Sequence, residues 1–165
     1  MGRLPNTYAD RVITDRDPYS LFGELLLITA QVATDFPQAT FSCQTDKPFE
    51  VHRMIPRLYA LDSQGVMLPT QPDQELLAGL IKVSIKVFNR EQAMTRVPTR
   101  IGTLTKGSSE RTWEWADPEY LQCSTGFQVT VQADTFPAVT NMASILVAIT
   151  FEGFLIVIAP ATNNR

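Results

Sequence analysis

One histidine, two tryptophans and two cysteines are the side chains from which this 165-residue chain would have to build specialised chemistry. His52 stands between Glu50 and Met54, on the polar side of an alternating stretch. A metal centre on a β-sandwich draws on several histidines, and a Ser-His-Asp system needs a nucleophile elbow, yet no Gly-x-Ser-x-Gly occurs. His52 therefore reads as an exposed strand residue paired with a carboxylate. Cys43 and Cys123 lie eighty residues apart with no CxxC or Cys/His cluster beside them, which predicts two reduced, half-buried thiols and no metal ligand. Gly102-Thr-Leu-Thr-Lys-Gly107-Ser108 imitates a phosphate loop, but its lysine precedes the second glycine and no helical pattern follows. No catalytic group and no cofactor are expected.

The segment Glu110 to Leu121, ERTWEWADPEYL, is the best site candidate. Trp113 and Trp115 are two apart and share a face if the segment is a strand, with Glu114, Asp117, Glu119 and Tyr120 close by. Exposed and coplanar, Trp113 and Trp115 with Tyr120 would stack sugar rings, and paired carboxylates would raise glycoside hydrolysis. Buried, the indoles are core or subunit-interface packing, the reading favoured here. Two further segments carry binding potential. Arg90, Arg96, Arg100, Lys106 and Arg111 outnumber Glu91 and Glu110, an arginine excess that suits docking onto an acidic partner. Residues 1–22 alternate Arg and Asp around few apolar anchors, and Pro5 and Pro18 interrupt any helix. They read either as a frayed terminus or as an extended N-terminal arm whose Tyr8, Arg11, Val12, Ile13 and Arg16 order against a neighbouring subunit.

The elements that must position these residues read as strands. Ser144 to Ile158, SILVAITFEGFLIVI, carries one charge and seven β-branched residues, too short for a membrane-spanning helix and suited to a strand buried on both faces. Gly153 marks a bulge within it. Ile81 to Val87 and Phe127 to Ala133 alternate apolar and polar residues, the pattern of half-solvated antiparallel strands. Phe49 to Leu61 makes a longer strand with a break at Pro56, and Asp62-Ser-Gln-Gly65 then turns the chain. Thr40–Gln44, Ile101–Leu104 and Thr112–Trp115 are shorter strand candidates, and a strand over Glu24–Val32 is preferred to a helix capped at Asp17. Eleven prolines punctuate these runs. Residues 23–165 are thus expected to form one all-β domain, an antiparallel two-sheet jelly-roll sandwich, behind the arm 1–22.

Composition narrows the partners. A net charge of −3 and a pI near 5.1 argue against nucleic-acid binding, and nothing reads as a membrane span or a secretory leader. Only 19% of residues are charged, so part of the surface is expected to be covered. Three runs, Gln44–Met54, Glu110–Leu121 and Thr150–Ile158, resemble the auxiliary jelly-roll proteins that decorate or cement the heads of tailed bacteriophages. The resemblance spans about residues 40–158 and rests on texture and strand order, without a signature motif. It implies a non-enzymatic virion structural protein without a cofactor, assembled in the host cytoplasm onto the capsid surface. Its partners would be the major capsid protein and copies of itself, often as a trimer. The competing class is a carbohydrate-binding jelly-roll adhesin or head-fibre module that meets surface carbohydrate through Trp113 and Trp115.

Overall fold

The computed structural model describes residues 12–31, 36–88, 94–95, 97–106, 111–122 and 125–159. Eight strands form two four-stranded sheets: β1 (Ile13–Ile28), β2 (Gln38–Ser42), β3 (Phe49–Leu61), β4 (Ile81–Val87), β5 (Thr99–Arg100), β6 (Trp113–Leu121), β7 (Gly126–Ala133) and β8 (Ser144–Ile158). Sheet one has the order β1-β8-β3-β6 and sheet two the order β2-β7-β4-β5, with antiparallel neighbours throughout. The all-β, two-sheet class expected from the alternation is the one observed.

The core lies between the sheets, where every second residue points inward. Ile145, Val147, Ile149 and Phe151 of β8 are fully buried, as are Val83 and Ile85 of β4 and Val129 and Val131 of β7. Phe127 stacks on Phe151 at 4.3 Å between ring centroids, and Phe41 meets Phe151 edge-on at 5.1 Å, which joins β7, β8 and β2 through the centre. Fully burying each such side chain stabilises the fold by about 1.5–3 kcal/mol.

Several elements differ from expectation, each for a local reason. β1 begins at Ile13, so the expected arm boundary at residue 22 falls inside a strand paired with β8. Its early residues are polar because β1 is an edge strand with Thr14 to Pro18 exposed, and solvent-exposed edges carry charge and proline. β1 stops at Ile28 in a single 3-10 turn, Thr29–Gln31, short of the expected Val32. β3 runs straight through Pro56: β6 pairs no further than Met54, so β3 has only β8 beside it there and a missing N–H is tolerated on the open side. Ile101–Leu104 is a helical turn, α2, rather than a strand, because Thr105 closes it with both its N–H and its Oγ1 on the Ile101 carbonyl. A second short helix, α1 (Gln74–Leu80), starts where Asp73 accepts from the Glu75 N–H and buries Leu77 and Ala78. β8 is not buried on both faces: Leu146, Thr150, Glu152 and Phe154 are only partly covered on the outer side.

The turn after β3 forms as read, with Gly65 at φ +78° and the Asp62 carboxylate accepting from the N–H groups of Gln64 and Val66. Cys43 is buried with its Sγ 3.3 Å from Thr45 Oγ1, whereas Cys123 lies outside the described residues.

Two substitutions test this arrangement. Val147→Asp places a carboxylate in the core without a partner and is expected to abolish cooperative folding. Gly153→Ala would set a Cβ 1.8 Å from the Glu50 carbonyl oxygen and should cost roughly 2–4 kcal/mol by forcing β8 away from β3. Urea titration reads both; a Gly153→Ala protein melting like the parent would show that the two strands do not approach so closely.

Candidate functional site

The outer face of sheet one carries the unusual chemistry of the molecule, and a register shift creates it. β3 pairs with β8 as Arg53↔Glu152 and then as Val51↔Gly153, so His52 is an extra residue bulged out of the ladder. On the other side, β6 goes from Glu114, opposite Arg53, to Glu119, opposite Val51, leaving Trp115 to Pro118 beside the same bulge. The bulge resets the alternation of β3. Phe49, Val51 and Met54 all face the core, and Glu50, His52 and Arg53 gather on the outer side.

An open recess of about 940 Å³ lies across the strands at this point. Ser20, Glu152, Arg53 and Glu114 form one row through it in cross-strand register, and His52 and Phe154 stand beside them, ring edge to ring face at 5.5 Å. Arg53 donates through Nε to Glu152 Oε2 at 2.7 Å, and its Nη2 lies 2.7 Å from the same oxygen. Gly153 supplies the floor, and only a glycine fits there because the Glu50 carbonyl sits where a Cβ would be.

Next to the groove, Glu50 is a carboxylate on an outer face that is nonetheless only 1% exposed. Arg16 covers it from β1, its Nε donating to Glu50 Oε1 at 3.0 Å, and His52 Nε2 lies 2.7 Å from the same oxygen. Tyr120 of β6 donates its hydroxyl to it as well. Burial pushes the Glu50 carboxyl up, but the bonds from Arg16, His52 and Tyr120 outweigh it and hold the group below the ordinary carboxylate value. Tyr120 is pushed up to about 12 by burial and by its bond to the Glu50 carboxylate.

The rest of this face is mostly apolar. Successive rows across β1, β8 and β3 read Phe22, Thr150, Ile55; Glu24, Ala148, Arg57; and Leu26, Leu146, Tyr59. Phe22 is 64% exposed and Leu26 45%. Sheet two is the opposite: its outward residues are Gln38 and Thr40, Gln128, Thr130 and Gln132, and Lys82, Ser84 and Lys86.

The residues expected to act are distributed differently from the expectation. Arg16 reaches an own-chain carboxylate from within β1, Ile13 begins that strand, and Val12 is largely exposed. Tyr8, Arg11, Arg90 and Arg96 lie outside the described residues, while Arg100 is exposed at the end of β5. Trp113 and Trp115 pack against the core, their rings 5.3 Å apart and perpendicular at 86°, and Trp115 also lies close to Phe127 and Phe151. Perpendicular, half-buried indoles do not make a flat stacking platform for a sugar, and Tyr120 faces the opposite side with Glu50. The carboxylates of the segment are also dispersed: Glu114 lines the groove, Asp117 is exposed and Glu119 is buried. His52 does pair with a carboxylate, as its spacing implied. The groove and the apolar rows were missed; consecutive polar residues His52 and Arg53 ahead of the alternating run from Met54 were the available trace of the bulge.

Among the described residues no group of three His, Cys, Asp or Glu is placed to hold a metal ion, and no helix is long and apolar enough to cross a membrane.

Because the Glu50 carboxyl is held below its ordinary value near 4.5, its contribution to stability is present above that pH and is lost as pH falls through the folded value. Glu50→Gln should flatten the dependence of the melting temperature on pH below about 4.5, and an unchanged slope would count against the cluster. At the alkaline end Tyr120 should ionise near 12, read as the tyrosinate absorbance that disappears in Tyr120→Phe.

No protein-family model matches this chain, and neither the curated proteins nor the solved structures contain one detectably similar to it.

Proposed function

We propose that this is a non-enzymatic assembly protein, a jelly roll that decorates or cements the outer surface of a tailed-phage capsid as a homo-oligomer. The observation that carries the reading is the contrast between its two outer faces. Sheet two presents amides, hydroxyls and lysines to water, whereas sheet one presents Phe22, Leu26, Leu146, Ile55 and Tyr59. An apolar sheet face opposite a polar one is what a subunit needs when one side is to be covered and the other is to remain in solution. The strand orders 1-8-3-6 and 2-7-4-5 support the jelly-roll assignment, since they follow when a long antiparallel hairpin folds over so that its strands alternate between two sheets. The described site holds ion pairs and covered carboxylates, which serve cohesion, and its one histidine is tied to Glu50. The resemblance to head decoration proteins supplies the shell as partner, with residues 1–11 and Arg90, Arg96 and Arg100 as attachment elements.

A second reading rests on the groove. Its row of Ser20, Glu152, Arg53 and Glu114 offers donors and acceptors to the hydroxyls of surface carbohydrate, in place of the indole platform.

Co-sedimentation with undecorated capsids of the same origin distinguishes them. The full chain should saturate the shell, and deleting residues 2–11, which leaves β1 whole, should lower occupancy severalfold without changing the melt. No binding by the full chain, together with binding to an immobilised glycan lost in Arg53→Ala, would replace the shell by a carbohydrate.

A further inference from the structure

We infer that the outer face of sheet one is a self-complementary interface, covered by the same face of a second copy about a two-fold axis parallel to β8. The apolar rows are centred on Ala148 of β8, which is 7% exposed and small enough for two sheets to approach closely at the axis. Glu24 and Arg57 flank Ala148 in one row, Glu24 on the β1 side and Arg57 on the β3 side. Their placement selects the symmetry. A two-fold axis along β8 exchanges the β1 and β3 sides, so Glu24 of each copy meets Arg57 of the other, Phe22 meets Ile55 and Leu26 meets Tyr59. An axis across the strands would instead set Glu24 on Glu24 and Arg57 on Arg57, and like charges at an interface centre cost several kcal/mol. Arg57 donates Nη1 to the Pro56 carbonyl at 3.1 Å, and a guanidinium with five N–H donors can keep that contact while receiving a carboxylate.

The area is sufficient only if the whole face takes part. At ~3.4 Å per residue and ~4.8 Å between strands, the apolar rows from Phe22 to Ile28 over three strands project about 340 Å². The complete face, with strands of 16, 15, 13 and 9 residues, projects about 860 Å² against the roughly 800 Å² per partner of a stable complex. The apolar rows therefore form the centre, and the Arg53–Glu152 row lies towards the rim. The relative rotation of about 30° between packed twisted sheets carries the two copies of Glu152 apart there, each still bonded to its own Arg53.

The inference goes beyond shell binding, and the two can fail separately: a dimer that ignores capsids leaves the interface standing, and a capsid-binding monomer removes it. Analytical ultracentrifugation of the full chain at micromolar concentration should give a dimer. Leu26→Glu, at a position exposed in the single subunit, should melt normally and sediment as a monomer. Glu24→Arg and Arg57→Glu should each weaken the dimer at least about tenfold, and the doubly exchanged protein should recover to within about threefold of the parent. A monomeric or trimeric parent, a dimer undiminished by Leu26→Glu, or an exchanged protein as weak as either single variant would overturn the two-fold interface.

Discussion

The ladder that β8 forms with β1 on one side and β3 on the other determines where every functional side chain of sheet one points. β8 pairs with β1 from Ser144 to Ile158 and with β3 from Ser144 to Leu155. Because side chains alternate along a strand, that register assigns Ile145, Val147, Ile149 and Phe151 to the core and leaves their neighbours outside. A slip of one residue would turn all of them over. The shift at His52 is made against β8 as reference: the β8 alternation continues unbroken, and β3 changes phase around it. Without that shift the alternation running back from Met54 would turn Glu50 into the core and put Phe49 and Val51 on the outer face, burying a carboxylate away from Arg16 and exposing two apolar side chains. The groove, the Glu50 cluster and the glycine at position 153 are thus consequences of one inserted residue.

Much of the fold was legible because binary patterning in the central strands is unambiguous. β4 is bounded by the residues its alternation named, β3 likewise, and β7 begins one residue early at Gly126. Legibility declined wherever burial did not alternate. The first ten residues of β1 carry Arg and Asp because they lie at a sheet edge with solvent on the outer side, so composition imitated a detached arm. Ile101–Leu104 has a strand's residues but a helical turn's closure, decided by the hydroxyl of Thr105. The site was harder still. Trp113 and Trp115 were correctly placed on one face of one strand, but which face depended on the pairing of β6 with β3, and that pairing contains the irregularity. Leu21, Leu25, Ile28 and Val32 also fit helical spacing, which blurred the alternation of β1; only the register with Leu146 and Tyr59 gathers Phe22, Leu26 and Ile28 into a patch.

The two outer faces also divide the energetic burden. Sheet two turns Gln, Thr and Lys residues outward, where water can satisfy their polar groups. Sheet one leaves Phe22, Leu26 and Ile28 40–64% exposed, a standing cost in the isolated chain that covering would remove. Polar groups on the same sheet are concentrated at the other end, around Glu50 and Arg53, where they are bonded to one another. In the proposed dimer, this apolar centre and bonded polar margin would let burial drive association and charge set alignment.

The Glu50 cluster has a mechanical consequence for β1. Arg16 and Glu50 stand on strands that are not neighbours, since β8 runs between β1 and β3, so their ion pair crosses over β8 at the level of Phe154 and Ile156. Tyr120 extends the same connection to β6, so groups from β1, β3 and β6 converge on a single carboxylate at one level of the sheet. That matters most for the first half of β1, which contributes little to the core between Ile13 and Pro18 and is otherwise held by backbone bonds, the Thr14 hydroxyl on the Val157 carbonyl and the exposed Lys47–Asp17 pair. An exposed ion pair would add little there, but this carboxylate is covered, so removing Arg16 would leave a buried charge with two bonds fewer. The cluster therefore keeps the edge strand in register over the half that lacks apolar anchors. Leu21, Leu25 and Leu27, buried in the core, hold the other half, and the outer face of sheet one stays continuous from one end of β1 to the other.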